Sequence, residues 1–185
     1  DWNKEDVDNF LVKLGEILIQ EGFKITSGLG LGIGNACISG AIKEIYNRKY
    51  AKIDDYLTLK PFPQFIEDKE LRDKIWKEWR YDILGRSGIA LFFMGNKKIP
   101  NSNEIVNADG VEKEFRIANE LGLKIIPIGA SGYQSEIIYK EVIDNFDKFY
   151  PTASNEFRDA FIELSEKVDN PIQLLSKIQT ILKLL

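Results

Sequence analysis

Residues 24–41 read KITSGLGLGIGNACISGA, and the fold follows from how this stretch is parsed. Phe23-Lys24-Ile25-Thr26 has the apolar, β-branched character of a buried strand. Ser27 ends it, and Gly28, Gly30, Gly32 and Gly34 follow, each separated by one aliphatic residue. From Asn35 onward Ala36, Ile38, Ala41, Ile42 and Ile45 keep helical spacing. Strand, glycine loop and helix together aim several N–H groups and the positive end of a helix dipole at one point. A phosphate can sit there without a catalytic side chain. The spacing is not that of a dinucleotide fingerprint, whose third glycine would fall on Ile33, Asn35 or Cys37, and no Gly-Lys pair makes a Walker loop. The competing reading is a tight connection whose glycines serve packing alone.

The 185 residues suit one α/β domain and are too few for two ordinary ones. A net charge of −4 argues against nucleic acid, which needs a concentrated basic face, whereas a small anion needs only two or three local cations. Histidine is absent, which removes Ser-His-Asp and Cys-His catalysis and histidine metal sites. With Cys37 the only cysteine, neither an internal disulfide nor a zinc site is expected, and a reducing, cytoplasmic setting is. Cys37 falls in the apolar stripe of its helix, as a packed thiol would. The longest apolar run, residues 89–94, is too short for a membrane span, and no signal peptide is visible. Asp1 stands directly before a helix where a Rossmann-like domain would open with a strand, so the chain reads as a piece cut from a longer protein.

In chain order, Asn3 caps a helix with Val7, Phe10, Leu11, Leu14, Ile17 and Leu18 on one face, ended by Gly22. Beyond the glycine-loop helix, Tyr56-Leu57-Thr58-Leu59 suggests a short strand, and Pro61 and Pro63 exclude helix. Glu67 and Asp68 open a long helix with Leu71, Ile75, Trp79 and Ile83 expected inward. Residues 89–94 read as a strand covered on both faces. Gly95-Asn96-Lys97-Lys98 then leads into a polar loop as far as Asp109. Gly110 starts a helix with Val111, Phe115, Ala118 and Leu121 on one face, and residues 124–128 form the next strand. Helices over about 135–146, 155–167 and 171–185 complete the chain, the last with Pro171 in its first turn. Alternating strand and helix predicts a Rossmann-like, doubly wound, mainly parallel sheet with C-terminal helices, one domain over residues 1–185.

Ligands of such sheets bind beyond the carboxyl ends of the strands, here Ser27-Gly28, Gly95-Asn96-Lys97 and Gly129-Ala130-Ser131-Gly132. Lys97 is placed to meet a phosphate, or is one more solvated lysine. Spacing alone makes Arg80 a surface ion pair with Glu78 or Asp82. Glu112 and Glu114 lie in the first turn of a helix, where negative charge is stabilised in any case; either could also accept from ribose hydroxyls. Trp76, Trp79, Phe92, Phe93 and Tyr133 offer a stacking face or fill the core. The apolar tail (Ile172, Leu174, Leu175, Ile178, Ile181, Leu182, Leu184, Leu185) exceeds one helix stripe, as an interface or a well-covered core helix would.

Residues 26–34 (TSGLGLGIG), 92–97 (FFMGNK) and 110–115 (GVEKEF) together resemble the SLOG family. Within it they resemble the C-terminal sensor domains of Thoeris anti-phage effectors, over essentially the whole chain. The resemblance implies a non-catalytic sensor that binds a 1″–3′ linked cyclic ADP-ribose isomer made by a TIR-domain protein. Binding would switch on an N-terminal sirtuin-like NADase in the same chain, within a homo-oligomer, a dimer or tetramer. It implies neither metal nor further cofactor, and no nucleic-acid or membrane partner. The family's arginine, lysine and glutamate contacts match Arg80, Lys97 and Glu112, with Ser27, Gly28, Leu29, Gly30, Gly32, Gly95 and Asn96 completing the site. The alternative is hydrolysis of nucleoside monophosphates, as in the family's LOG-type phosphoribohydrolases. Their P-G-G-x-G-T-x-x-E motif is replaced here by residues 107–115, NADGVEKEF, without the proline, the glycine pair or the threonine.

Overall fold

The computed structural model describes residues 2–29, 33–48 and 52–185. Its backbone groups into two compact units, residues 1–86 with 170–175 and residues 87–169 with 176–185. The fold is mixed α/β with parallel strand pairs and C-terminal helices, of the Rossmann-like type expected.

The first unit holds α1 (Lys4–Gln20), β1 (Ile25–Ser27), α2 (Ile33–Asn47), α3 (Ile53–Tyr56), β2 (Leu57–Leu59) and α4 (Lys69–Leu84). Asn3 caps α1 by accepting from Asp6 N at 2.9 Å, and Asp68 caps α4 by accepting from Leu71 N at 3.0 Å. β1 and β2 pair in parallel, Ile25 opposite Leu57 and Ser27 opposite Leu59. Ile19, Ile38, Ala41, Ile45 and Leu57 form the core that seats α2 behind this pair. Helices α1 and α2 meet backbone to backbone: a Cβ on Gly15 would overlap the Cys37 carbonyl, and one on Gly40 the Val12 carbonyl. That contact fixes how closely α2 can lie on α1.

The second unit holds β3 (Ile89–Phe92), β4 (Asn96–Lys98), β5 (Ile105–Asn107), α5 (Asp109–Glu120), β6 (Lys124–Pro127), a 3-10 turn (Gly129–Ser131), α6 (Tyr133–Asp144), α7 (Phe146–Phe149) and α8 (Asn155–Glu163). β3 and β6 are parallel, Ile89 opposite Lys124 and Phe92 opposite Pro127. Phe92 meets Phe115 edge-on at 6.1 Å, and Phe146, Tyr150, Phe157 and Phe161 pack as one aromatic cluster. Each fully buried aromatic of this kind contributes about 2–3 kcal/mol through surface removed from water. Tyr150 donates to Ile125 O at 2.6 Å, and burial raises its hydroxyl pKa. A second 3-10 turn (Pro171–Gln173) precedes α9 (Leu174–Lys183), with Pro171 in the first turn as expected.

Three expectations need correcting. The loop expected over 95–109 contains an antiparallel hairpin, β4 with β5, pairing Lys97 with Val106. Backbone ladder bonds make it, with no alternation of apolar residues to announce it. The short α3 precedes β2 where only a strand was expected. Leu71 is 50% and Leu121 41% exposed, so neither helix buries the end of its expected stripe. In the tail, Leu174, Leu175, Ile178, Ile181 and Leu182 are buried, leaving Ile172 and Leu185 as its exposed large apolar side chains.

Candidate functional site

In the first unit the site is the carboxyl end of β1. Lys60 N donates to Ser27 O at 2.8 Å, extending the parallel pair one residue beyond β2. The Ser27 hydroxyl accepts from Leu29 N at 3.1 Å, and Leu29 turns through φ 48°, in the left-handed region. In the first turn of α2 a Cβ on Gly34 would stand 3.3 Å from Leu29 Cα and 3.5 Å from Ser27 Oγ. Ser27, Gly28 and Leu29 thus make the tight strand exit that the sequence predicted; Gly30 and Gly32 lie outside the described residues.

Gly28 is needed for close approach: a Cβ there would come 2.7 Å from Phe62 Cε2 and 3.3 Å from Ile83 Cδ1. Phe62 in turn carries Arg80. The guanidinium lies 5.0 Å above the Phe62 ring, Nη1 donates to Trp76 O at 3.3 Å, and Arg80 is only 7% exposed. Arg80 is therefore no surface residue, contrary to the reading from spacing. One of the two carboxylates proposed for it, Asp82, is bound by Lys60 and by Arg86 at 2.9 Å, which hold its pKa below the usual range. The Phe62 segment is itself pinned: Trp76 Nε1 donates to Pro63 O at 2.9 Å and Trp79 Nε1 to Lys60 O at 3.2 Å. Both tryptophans are half-buried supports of this wall.

In the second unit the site is the carboxyl end of β3. The strand stops because Met94 and Gly95 turn through φ 54° and 83°. Ser131 Oγ accepts from Met94 N at 2.7 Å and donates to Ile128 O at 2.6 Å. Ser135 Oγ lies 2.9 Å from Phe92 O and 3.0 Å from Ile128 O, and Ser135 N donates to Met94 O at 2.8 Å. These serines stitch the ends of β3 and β6 together. Phe92 and Phe93, at 6% and 8% exposure, belong to the core rather than to a stacking face.

Gly95 O accepts from Ala108 N at 2.8 Å, which brings β4 and the start of α5 alongside. Lys97 accordingly binds the Asp109 carboxylate, and Lys113 stands 3.6 Å from its second oxygen. The Lys97 hydrogen bond is the main cause that depresses the Asp109 pKa. Asn96 faces Asn107 across the hairpin. Glu112 follows one turn after Asp109, exposed and 3.7 Å from Arg116, which also binds Glu141. Lys97 and Glu112 are thus brought to one helix start, without touching each other. Asp109 and Gln134 (6% exposed, in the first turn of α6) went unnoticed in the sequence. An acid at a helix start is the signal that could have found the first; periodicity carries none for the second.

These groups bind better than they react. Burial pushes the Cys37 thiol up to about 11, so its thiolate is scarce at neutral pH. The cations are a guanidinium fixed over a ring and an ammonium held by a carboxylate, both suited to anionic oxygen. No helix among the described residues is long and apolar enough to cross a membrane.

The chain is 62% identical over its whole length to a protein of Acinetobacter baumannii (strain 532279) named NAD(+) hydrolase ThsA, covering 39% of that protein. It is 33% identical over 96% of its length to a protein of the same name from Bacillus cereus (strain MSX-D12), covering 36% of it. A third ThsA, from Cytobacillus dafuensis, is 44% identical over 76% of this chain and is covered to 28%. The chain therefore spans at most about two fifths of these relatives. The profile of the Sir2- and TIR-associating SLOG family (STALD) matches residues 1–185, and the chain belongs to that family.

Proposed function

We propose that this chain is the ligand-sensing part of a ThsA-type anti-phage effector. It binds a 1″–3′ linked cyclic ADP-ribose isomer made by a TIR-domain protein, and binding activates a sirtuin-like NAD hydrolase in the N-terminal part of the same protein. The sensor works in the cytoplasm as a homo-oligomer. Arg80 and Lys97 neutralise the pyrophosphate, Glu112 accepts from ribose hydroxyls, and the loop around Ser27–Leu29 with Gly95 and Asn96 completes the contacts. The observation that carries the reading is the Arg80 guanidinium, buried on Phe62 beside the glycine exit of β1. A cation set in place before ligand arrives loses little freedom on binding. The family description, with its Sir2 and TIR association, and the hydrolase name of relatives much longer than this chain support the same role.

Titration calorimetry with the cyclic isomer, and with linear ADP-ribose, NAD and adenosine monophosphate as controls, tests it. Binding of the cyclic ligand alone is expected; no binding of it overturns the reading. Arg80→Ala should weaken binding tenfold or more, the about 1.5–3 kcal/mol of a charged hydrogen bond. Unchanged affinity removes Arg80 from the site. Release of adenine from adenosine monophosphate would instead favour the LOG-type hydrolase, although the chain lacks most of that motif.

A further inference from the structure

Glu112 stands exposed in the first turn of α5, where a glutamate side chain has several rotamers open to it. Its ion-pair partner among the described residues is Arg116, one turn further along the same helix, with Nη2 3.7 Å from Glu112 Oε1. Arg116 is itself held on two sides. It forks onto Glu141 of α6, Nη1 donating to Oε1 and Nη2 to Oε2, the second bond at 2.8 Å. Its guanidinium carbon also lies 4.8 Å above the ring of Phe115, a fully buried side chain. Helix α6 is in turn tied to the end of β3, since Ser135 N donates to Met94 O at 2.8 Å. The guanidinium is therefore held in register with the strand end that carries Gly95 and Asn96, all within the second unit.

We propose that Arg116 is the positioning residue for Glu112, set in place by Glu141. This rests on the sensor reading above, in which Glu112 accepts from ribose hydroxyls, and extends it. The two ends of Arg116 are unequal: it grips Glu141 with two hydrogen bonds and only approaches Glu112. A carboxylate approached in this way is confined to one side of its helix and keeps its lone pairs for hydroxyl donors. The same guanidinium offsets the charge of Glu112, which would otherwise repel the pyrophosphate of the ligand it helps to hold. A lysine at 116 would supply the charge without the planar fork, so Glu141 could not fix its direction. Neither Arg116 nor Glu141 needs to touch the ligand.

The test is a double-mutant cycle read by calorimetric titration of the 185-residue chain with the 1″–3′ cyclic ADP-ribose isomer. Glu112→Ala is expected to weaken binding about tenfold, as the loss of a charged hydrogen bond does. Arg116→Ala should weaken it about fivefold in the otherwise unmodified chain, the effect of freeing one long side chain at a binding surface. On the Glu112→Ala background the same change should cost less than about twofold. Arg116→Lys, the variant in case alanine does not fold, should show most of the fivefold loss and the same dependence on Glu112. Equal losses with and without Glu112 would mean that Arg116 acts by direct contact or through stability, and would overturn the proposal. Unchanged affinity in both Arg116 variants would overturn it too, and in either case the sensor reading stands. If Glu112→Ala binds like the unmodified chain, Glu112 leaves the site and this inference goes with it, while Arg80 and Lys97 keep their roles. If the unmodified chain does not bind the cyclic ligand, the sensor reading falls and this inference with it.

Discussion

The two strand ends solve one problem in different ways. Each must leave a parallel strand sharply, and each does so at a glycine pressed against a side chain. At β1 the neighbour is Phe62, which holds a guanidinium by its ring face, and the surrounding bonds come from tryptophan N–H groups to the 60–63 segment. At β3 the neighbour is Gln134, the backbone is left-handed, and serine hydroxyls stitch the turn. The first end is a platform for charge and the second a rigid neutral frame.

The largest effect expected from breaking this comparison is at Gly95. Gly95→Ala puts a Cβ on a left-handed residue and against Gln134, so the strain of about 1–2 kcal/mol adds to overpacking of about 1–3 kcal/mol. A loss near 3 kcal/mol is expected in urea unfolding, and a loss below 1 kcal/mol would show that the β3 turn is not rigid. Gly28→Ala meets only the Phe62 edge and Ile83, so about 1–2 kcal/mol is expected. A larger loss than at Gly95 would reverse the comparison.

Phe62→Leu removes the ring beneath Arg80 while keeping the charge. Ligand affinity should fall about fivefold, in line with a cation–π contact of about 1 kcal/mol, with a smaller change in stability. Equal loss of both would make Phe62 a packing residue only. The smallest effect is expected at Asp109. Because the Lys97 hydrogen bond holds its carboxyl below the ordinary aspartate range in the folded chain, its stabilising contribution is present above the ordinary pKa. It is lost as pH falls through the depressed one. The pair with Lys97 is half-exposed, so the amount is at most about 1 kcal/mol. Asp109→Asn should erase that acid-side loss and, by releasing Lys97, raise affinity for the anionic ligand a few-fold; weaker binding would show that Asp109 orients Lys97 instead.

Much of the fold was legible in the chain. The glycine exit at Ser27-Gly28, the order of strands and helices, the caps at Asn3 and Asp68 and the first-turn Pro171 are local properties, set by side-chain type and hydrophobic period. The hairpin of residues 96–107 was not legible, because a three-residue ladder is made by backbone groups that every residue has. The site residues divide in the same way. Arg80 came from resemblance alone, and Lys97 and Glu112 also from their places at a strand end and a helix start. Only the tertiary structure buried Arg80 on Phe62, gave Lys97 to Asp109 and set Gln134 against the glycine at the end of β3. Sequence pattern reports which side of its own element a residue faces. What it faces there depends on segments distant in the chain, and packing alone brings those together.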